Sequence, residues 1–282
     1  MLNRNDPKAL RWLLGAQIAS FRHDAGLSLA QLRELTGVSR AKLGTMETGR
    51  FGQNADDVAL ILEACGAPKD DITRLSTMAR RIGGRSWWAK YADVLPDWFT
   101  LYAGLEGLAE SLFTMELWAM PGILQTEAYA RAVTGSTSLV RPDHVERFAR
   151  FRTERSARLT DAANPLRLDV VLAETAFRVQ VGGPDVMAAQ FDHVLDLIDS
   201  GGVSVQILLP EAGARPVGAG QLTLLRFDDG FEAAYTELID GASYVSAPAK
   251  ARAYRWAADE IQRVALTPEE SLKQIRAWRK RM

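Results

Sequence analysis

From Leu27 to Arg50 the chain reads LSLAQLRELTGVSRAKLGTMETGR, and the punctuation of that run leaves little choice of fold. Ser28 stands three residues before Gln31, the spacing at which a hydroxyl and a side-chain amide satisfy the exposed backbone donors of a helix start. Leu29, Leu32 and Leu35 then recur on one side. Gly37 breaks the run, free to take the positive φ of a tight reversal. Ser39 caps a second short helix, which Gly49 ends. Val38, Leu43 and Met46 supply an apolar face for docking. The other face carries Arg40, Ala41, Lys42, Gly44 and Thr45, the small or hydrogen-bonding side chains that reach base edges.

The flanks extend this pair into a bundle. Trp12, Leu13, Ala16, Ile18, Ala19 and Phe21 recur at helical spacing over residues 11–25, with Gly26 as a stop. Asn54 caps a fourth helix that turns Val58, Leu60, Ile61, Leu62 and Cys65 inward before Gly66 and Pro68. Asp70-Asp71 open a fifth, through Leu75 and Met78 to Arg80-Arg81. Gly83-Gly84 marks a boundary, because paired glycines after a charged helix end are costly to order. The expected fold is an N-terminal all-α helix-turn-helix bundle of five helices over residues 1–83, followed by a larger α+β domain over residues 84–282. Charge divides the same way: residues 1–85 hold 13 Lys/Arg against 9 Asp/Glu, and residues 86–282 hold 21 against 26. Attraction for phosphate therefore belongs to the first part, and the acidic remainder opposes non-specific binding.

Residues 11–66 resemble the lambda-repressor-like, xenobiotic-response-element (XRE) type of helix-turn-helix domain. SRAKLGTMETGR is similar to that family's recognition-helix signature, including its Glu-x-Gly-Arg ending. The resemblance implies a double-stranded DNA operator, with base contacts from Arg40, Ala41 and Thr45. It implies phosphate contacts from Ser28 and Leu29 at the start of the second helix, from Lys42 and from Arg50. It also implies an ion pair, Arg22 with Glu47, joining the first and third helices. Ala41 and Gly44 stand where the family often has glutamine or arginine, so fewer direct base contacts follow, with dimerisation or DNA shape supplying the remainder. One module covers about half an operator of two half-sites, so a homodimer is expected.

Beyond the boundary the texture changes. Trp87, Trp88, Tyr91, Trp98, Phe99 and Tyr102 crowd together, and the three tryptophans read either as interdomain core or as a ligand cage. Helices are expected over residues 98–110, 125–133, 142–159, 184–198 and 248–265. Thr267-Pro268-Glu269-Glu270 opens one more with a second capping box. Residues 111–118, LRLDVVLA, VSVQILLP, QLTLLRF and AAYTELI read as extended strands, and Gly213, Gly218, Gly220 and Gly230 punctuate the loops. The stretch from Pro121 to Thr126 is a turn or a binding loop. Glu174 is a carboxylate paired with an arginine such as Arg131, or a catalytic base. Arg147, Arg150, Arg152, Arg155 and Arg158 share one helix, with Glu146–Arg150 and Glu154–Arg158 at i,i+4, which makes a solvated face or a protein-docking surface.

The order MPGILQTEAYARAVTG, VERFARFRTERSARL, VLAETAFRVQVGGPDVMAAQFDHVLDLI, VSVQILLPEAGA and YTEL runs over about residues 102–277. It resembles the effector domain of antitoxin-like regulators of filamentous high-GC bacteria, including WhiJ-like developmental regulators. That resemblance implies a small partner protein, for which Gln125, Glu174, Arg147 and Arg150 are the candidate surface. A small molecule that shifts DNA binding, or dimerisation alone, are the alternatives.

Catalysis is not expected. The chain has no phosphate loop, no His-Glu-x-x-His and no serine elbow, and Gly218-Ala219-Gly220 lacks the third glycine and following helix of a dinucleotide fingerprint. His23, His144 and His193 are spread over different helices without metal spacing. The single cysteine, Cys65, excludes a disulfide framework or a cysteine zinc cluster and reads as core packing. Neither cofactor nor metal is expected. No run reaches the roughly 20 apolar residues of a membrane helix, and MLNRNDPKAL lacks the apolar middle of a signal peptide. A cytoplasmic protein, nucleoid-associated when bound to DNA, is the expectation.

Overall fold

The computed structural model describes residues 6–137, 140–213 and 220–282; Gly218 and Ala219, named above, lie outside them. Five helices come first: α1 (Pro7–Asp24), α2 (Leu29–Thr36), α3 (Arg40–Glu47), α4 (Ala55–Ala64) and α5 (Lys69–Arg81). Their shared core is Leu14, Ile18, Leu32, Leu43, Met46, Val58, Ile61, Leu62 and Leu75. Helices this short are marginal alone, so packing of these side chains holds them, at about 1.5–3 kcal/mol for each one fully buried. The capping box at Ser28 is formed, and Gly37 sits at φ 72° as the reversal requires. Cys65 lies at the edge of this core, where burial pushes its thiol up.

The first helix begins earlier than the periodicity over residues 11–25 indicated. Asp6 accepts the Ala9 amide at 2.8 Å, and Pro7 takes the first helical position, where its missing N–H is no loss. The start signal thus precedes the first apolar residues of the pattern, and those extra turns serve a different neighbour. Ala9 and Leu13 pack with Trp12 into the large core of the chain's second part, while Leu14 and Ile18 belong to the bundle.

That second part opens with a 3-10 turn (Trp87–Tyr91) and α6 (Asp97–Leu108), followed by β1 (Ser111–Glu116), α7 (Glu127–Gly135) and α8 (Val145–Ser156). Next come β2 (Arg167–Ala173), α9 (Glu174–Arg178), α10 (Pro184–Asp199) and β3 (Val203–Leu208). It closes with β4 (Leu222–Arg226), β5 (Glu232–Leu238), β6 (Gly241–Val245), α11 (Pro248–Val264) and α12 (Pro268–Arg279). The six strands form one sheet in the order β3-β2-β1-β4-β5-β6. β1, β2 and β3 are parallel, joined by helical crossovers, whereas β4 runs antiparallel to β1 and starts an antiparallel meander.

Both faces of the sheet are covered. Leu112, Leu168, Val170, Leu172 and Leu225 face the large core with α6, α7, α8 and α10, and Phe113, Met115, Val171 and Leu224 face Ala258 and Ile261 of α11. This explains the near-continuous apolar runs of the central strands, as both side-chain rows are buried. The fold is an all-α five-helix bundle followed by a mixed α+β unit. β6 carries no strong strand pattern of its own; its register on β5 makes it. The helix expected over residues 142–159 is a 3-10 turn (Pro142–His144) followed by α8.

Candidate nucleic-acid interface

Ser39 caps α3 by accepting the Lys42 amide at 3.3 Å, and Leu43 and Met46 seat the helix in the bundle core. Its outward side is what remains. Leu29, Arg40, Ala41, Gly44, Thr45, Thr48 and Arg50 line one open depression beside the start of α2. Arg40, Ala41 and Arg50 are exposed and Gly44 and Thr45 half-buried, giving a floor of small groups between two cations. Among the described residues neither Arg40 nor Arg50 is paired with a carboxylate. Lys42 is different, because Asp57 of α4 holds its ammonium at 2.6 Å. A phosphate contact from Lys42 therefore requires exchanging an exposed ion pair, a small cost of about 0–1 kcal/mol. The Thr45 hydroxyl donates to the Lys42 carbonyl at 2.8 Å, leaving its methyl group and an acceptor lone pair for a ligand. Ser28 is exposed, and its box occupies the amides of Ser28 and Gln31. Those of Leu29 and Ala30 have no intrahelical acceptor and form the positive end of α2.

α3 is held against α1 by polar contacts that are largely buried. Arg22 Nε donates to Glu47 Oε1 at 2.6 Å and Nη2 to Oε2 at 2.8 Å, with the two side chains only 9% and 11% exposed. The remaining nitrogen, Nη1, donates to the Leu27 carbonyl at 2.7 Å. Hydrogen bonding to Glu47 outweighs the opposing effect of burial and raises the guanidinium above its ordinary value. Gly15 lets the backbones meet, since a Cβ there would stand 2.5 Å from the Met46 carbonyl oxygen. Buried Gln53 donates to the Met46 carbonyl at 2.6 Å and to that of Arg11 at 3.0 Å, a link that no motif indicated.

The candidate surface of the second part does not converge. Gln125 is buried, with Nε2 donating to the Met120 carbonyl at 2.7 Å and Oε1 accepting from Arg152 at 2.8 Å. Glu174 pairs with Arg178 at 2.6 Å, one turn along α9, and not with Arg131, which bonds Glu146 and Glu127. Arg147 is engaged with Asp93 and the Lys90 carbonyl. Arg150 alone of these four is exposed with no ion-pair partner among the described residues. The helical pairs Glu146–Arg150 and Glu154–Arg158 are not formed, because Glu154 instead receives Lys90 and the Tyr91 hydroxyl. α8 is therefore no uniformly solvated face. Arg155 is buried against Glu106, Arg158 bonds the Ala109 carbonyl and Arg152 bonds Gln125, so these three arginines run inward or sideways.

Trp87 and Trp88 are engaged within the fold. Trp87 stacks on Phe151 with ring centres 5.3 Å apart, and Trp88 Nε1 donates to Asp6 at 2.7 Å, tying the 3-10 turn to the cap of α1. At the other end of α1, Gln17 Nε2 donates at 2.9 Å to Asp229 in the β4–β5 turn, and Arg74 of α5 bonds the same carboxylate oxygen and Gln17 Oε1. Among the described residues no helix is long and apolar enough to cross a membrane, and no group of His, Cys, Asp and Glu is placed to hold a metal.

Comparison with known proteins matches two regions of the chain. A helix-turn-helix domain matches residues 13–75. The crystal structure of the clp gene regulator ClgR from C. glutamicum is similar at 34% identity, covering 25% of this chain and 90% of that chain with a TM-score of 0.22. No curated protein matches. A domain of unknown function (DUF5753) matches residues 99–277, well over half the chain, and the protein therefore belongs to that family, with a helix-turn-helix domain in front.

Proposed function

We propose that this protein is a sequence-specific, DNA-binding transcriptional regulator of the XRE type, with a DNA-reading domain over residues 1–83 and a receiving domain over residues 84–282. The observation that carries the reading is the outward side of α3: Arg40 and Arg50, without an ion-pair partner among the described residues, flank a floor of Ala41, Gly44 and Thr45 on a helix held in place by a largely buried ion pair. Arg40 and Thr45 face the major groove with Ala41, while Ser28, Leu29, Lys42 and Arg50 lie nearer phosphate. The protein binds as a homodimer across two half-sites, in the cytoplasm on the nucleoid.

Operator selection from random duplexes followed by titration tests this. Arg40→Ala is expected to cost about 1–3 kcal/mol on the selected operator and to relax preference at one position. Arg50→Ala should weaken all sequences alike and lower the salt slope by about 1. Equal loss from Arg40→Ala on selected and random DNA would overturn the assignment.

The receiving domain is read as antitoxin-like, modulated by a small partner protein that docks on the polar surface around Arg150. The Asp229 clamp supports a receiver over a passive spacer, because it joins the sheet to α1 and α5 at once. A small-molecule signal is the second reading. No catalytic role is assigned.

A further inference from the structure

Gly15 and Gly49 are required by the packing of α3 on α1. A Cβ at Gly15 would stand 2.5 Å from the Met46 carbonyl oxygen, and one at Gly49 would stand 2.8 Å from that of Arg11. Gly44 is different. It lies within α3, its φ is not positive, and a Cβ there would meet nothing within 4 Å. An interior glycine weakens a helix relative to alanine. Nothing inside the fold explains its place on the outward side of α3, so the reason lies with what that side meets.

What Gly44 leaves is a gap in a surface made mostly of carbon. Ala41 and Thr45 stand one turn apart on the same side of the helix, and with Gly44, Thr48 and Leu29 of α2 they line the depression between Arg40 and Arg50. The hydroxyls of both threonines are donated back to the helix. That of Thr45 goes to the Lys42 carbonyl at 2.8 Å, and that of Thr48 goes to the carbonyls of Gly44 at 3.0 Å and Thr45 at 3.2 Å. Neither has a proton left for a base edge. Side-chain donation from this lining therefore falls to the two arginines, and apart from the lone pairs of two hydroxyl oxygens the surface between them is apolar. In the major groove one base-edge group matches such a surface, the C5 methyl of thymine, which cytosine lacks.

We propose, on the basis of the DNA-reading role of α3, that Gly44 keeps open a seat for one thymine methyl group in each half-site, between Ala41 and the methyl of Thr45 and beside the base that Arg40 reads. Alanine at this position would restore helix propensity and fill the seat with its own methyl group.

The test uses the full chain and the duplex it selects from random sequence. That duplex is resynthesised with each thymine in turn replaced by deoxyuridine, which removes the methyl group and leaves the pairing edge unchanged, and with cytosine or 5-methylcytosine pairs at the same positions. One thymine per half-site is expected to lose about fourfold or more in affinity as deoxyuridine, the worth of one buried methyl group. At that position 5-methylcytosine should bind more tightly than cytosine. Gly44→Ala should bind the thymine and deoxyuridine duplexes equally, with a urea midpoint no lower than that of the wild type. Thr45→Val, which keeps a methyl group and loses the hydroxyl, should preserve the thymine preference, and Thr45→Ser, which does the reverse, should shrink it.

A selected duplex in which no thymine responds to deoxyuridine overturns the proposal and leaves the DNA reading standing, whereas failure to select any sequence overturns both. A thymine preference that survives unchanged in Gly44→Ala, or a Gly44→Ala loss of equal size on selected and random duplexes, overturns it as well. Where Gly44→Ala does not fold, the two Thr45 variants decide, and an equal thymine preference in both overturns it.

Discussion

Arg22 and Glu47 carry the sharpest consequence at the scale of single residues. Their side chains are nearly excluded from water, so removing one partner leaves an uncompensated charge. Glu47→Ala is expected to cost about 3–5 kcal/mol, well beyond a surface pair. Arg22→Met combined with Glu47→Leu should recover much of that, since no unpaired charge remains. Urea midpoints of the singles and the double, with coupling near zero as the failing result, measure it. Glu116 makes a second prediction. Burial raises its carboxyl to about 8 in the folded protein, above the ordinary 4.5, so between the two the native state holds a proton that the unfolded chain has released. The stabilisation is complete below pH 4.5 and is lost as pH climbs through 8. Wild type should therefore lose stability relative to Glu116→Gln across that window, read from urea midpoints along it.

Among elements, the seat of α3 on α1 sets which side chains the proposed DNA-reading face presents. The approach is so close at Gly15 that Gly15→Ala would drive a methyl group into the Met46 and Glu47 carbonyls. A loss of about 1–3 kcal/mol is expected, with operator binding weakened more than the global unfolding free energy accounts for. An unchanged affinity would mean that helix position does not govern recognition. α8 shows where sequence reading runs out. Spacing placed five arginines on one helix, yet spacing alone does not say which turn of a helix a neighbouring sheet covers. Arg152 bonds Gln125 ahead of α7, Arg155 reaches Glu106 of α6, and Arg147 points to the 3-10 turn. Caps, by contrast, were legible at Ser28, Ser39 and Thr267, because a cap is a local hydrogen bond between residues a few positions apart.

For the whole molecule, α1 is shared property. Its first two turns bury Ala9 and Leu13 in the large core, its later turns build the bundle, and Gln17 joins Arg74 on Asp229. β4 links two regions along this route, with Gln221 against Glu116 just before its start and the Asp229 turn after its end. Asp229→Ala should remove the carboxylate that Gln17 and Arg74 share, leaving Arg74 to Asp71 of its own helix, and loosen the bundle from the sheet. The expected result is an earlier, separate unfolding step for residues 7–82, with amides of α1 and α5 exchanging sooner in hydrogen exchange. A single transition shifted as a whole would show instead that α6 and Trp88 suffice to couple the two parts.

The pair α2 and α3 was legible in residues 27–50 themselves, since caps, turn glycines and the split between apolar and polar faces all act within a few residues of one another. The helices and most strands behind them followed from the same local rules. Tertiary structure alone decided which charges are buried, that β6 extends the sheet, and that α1 belongs to both cores. Those outcomes depend on which surfaces meet across long separations in the chain. Gln17 and Asp229 are 212 residues apart, and nothing in the neighbourhood of either announces the other.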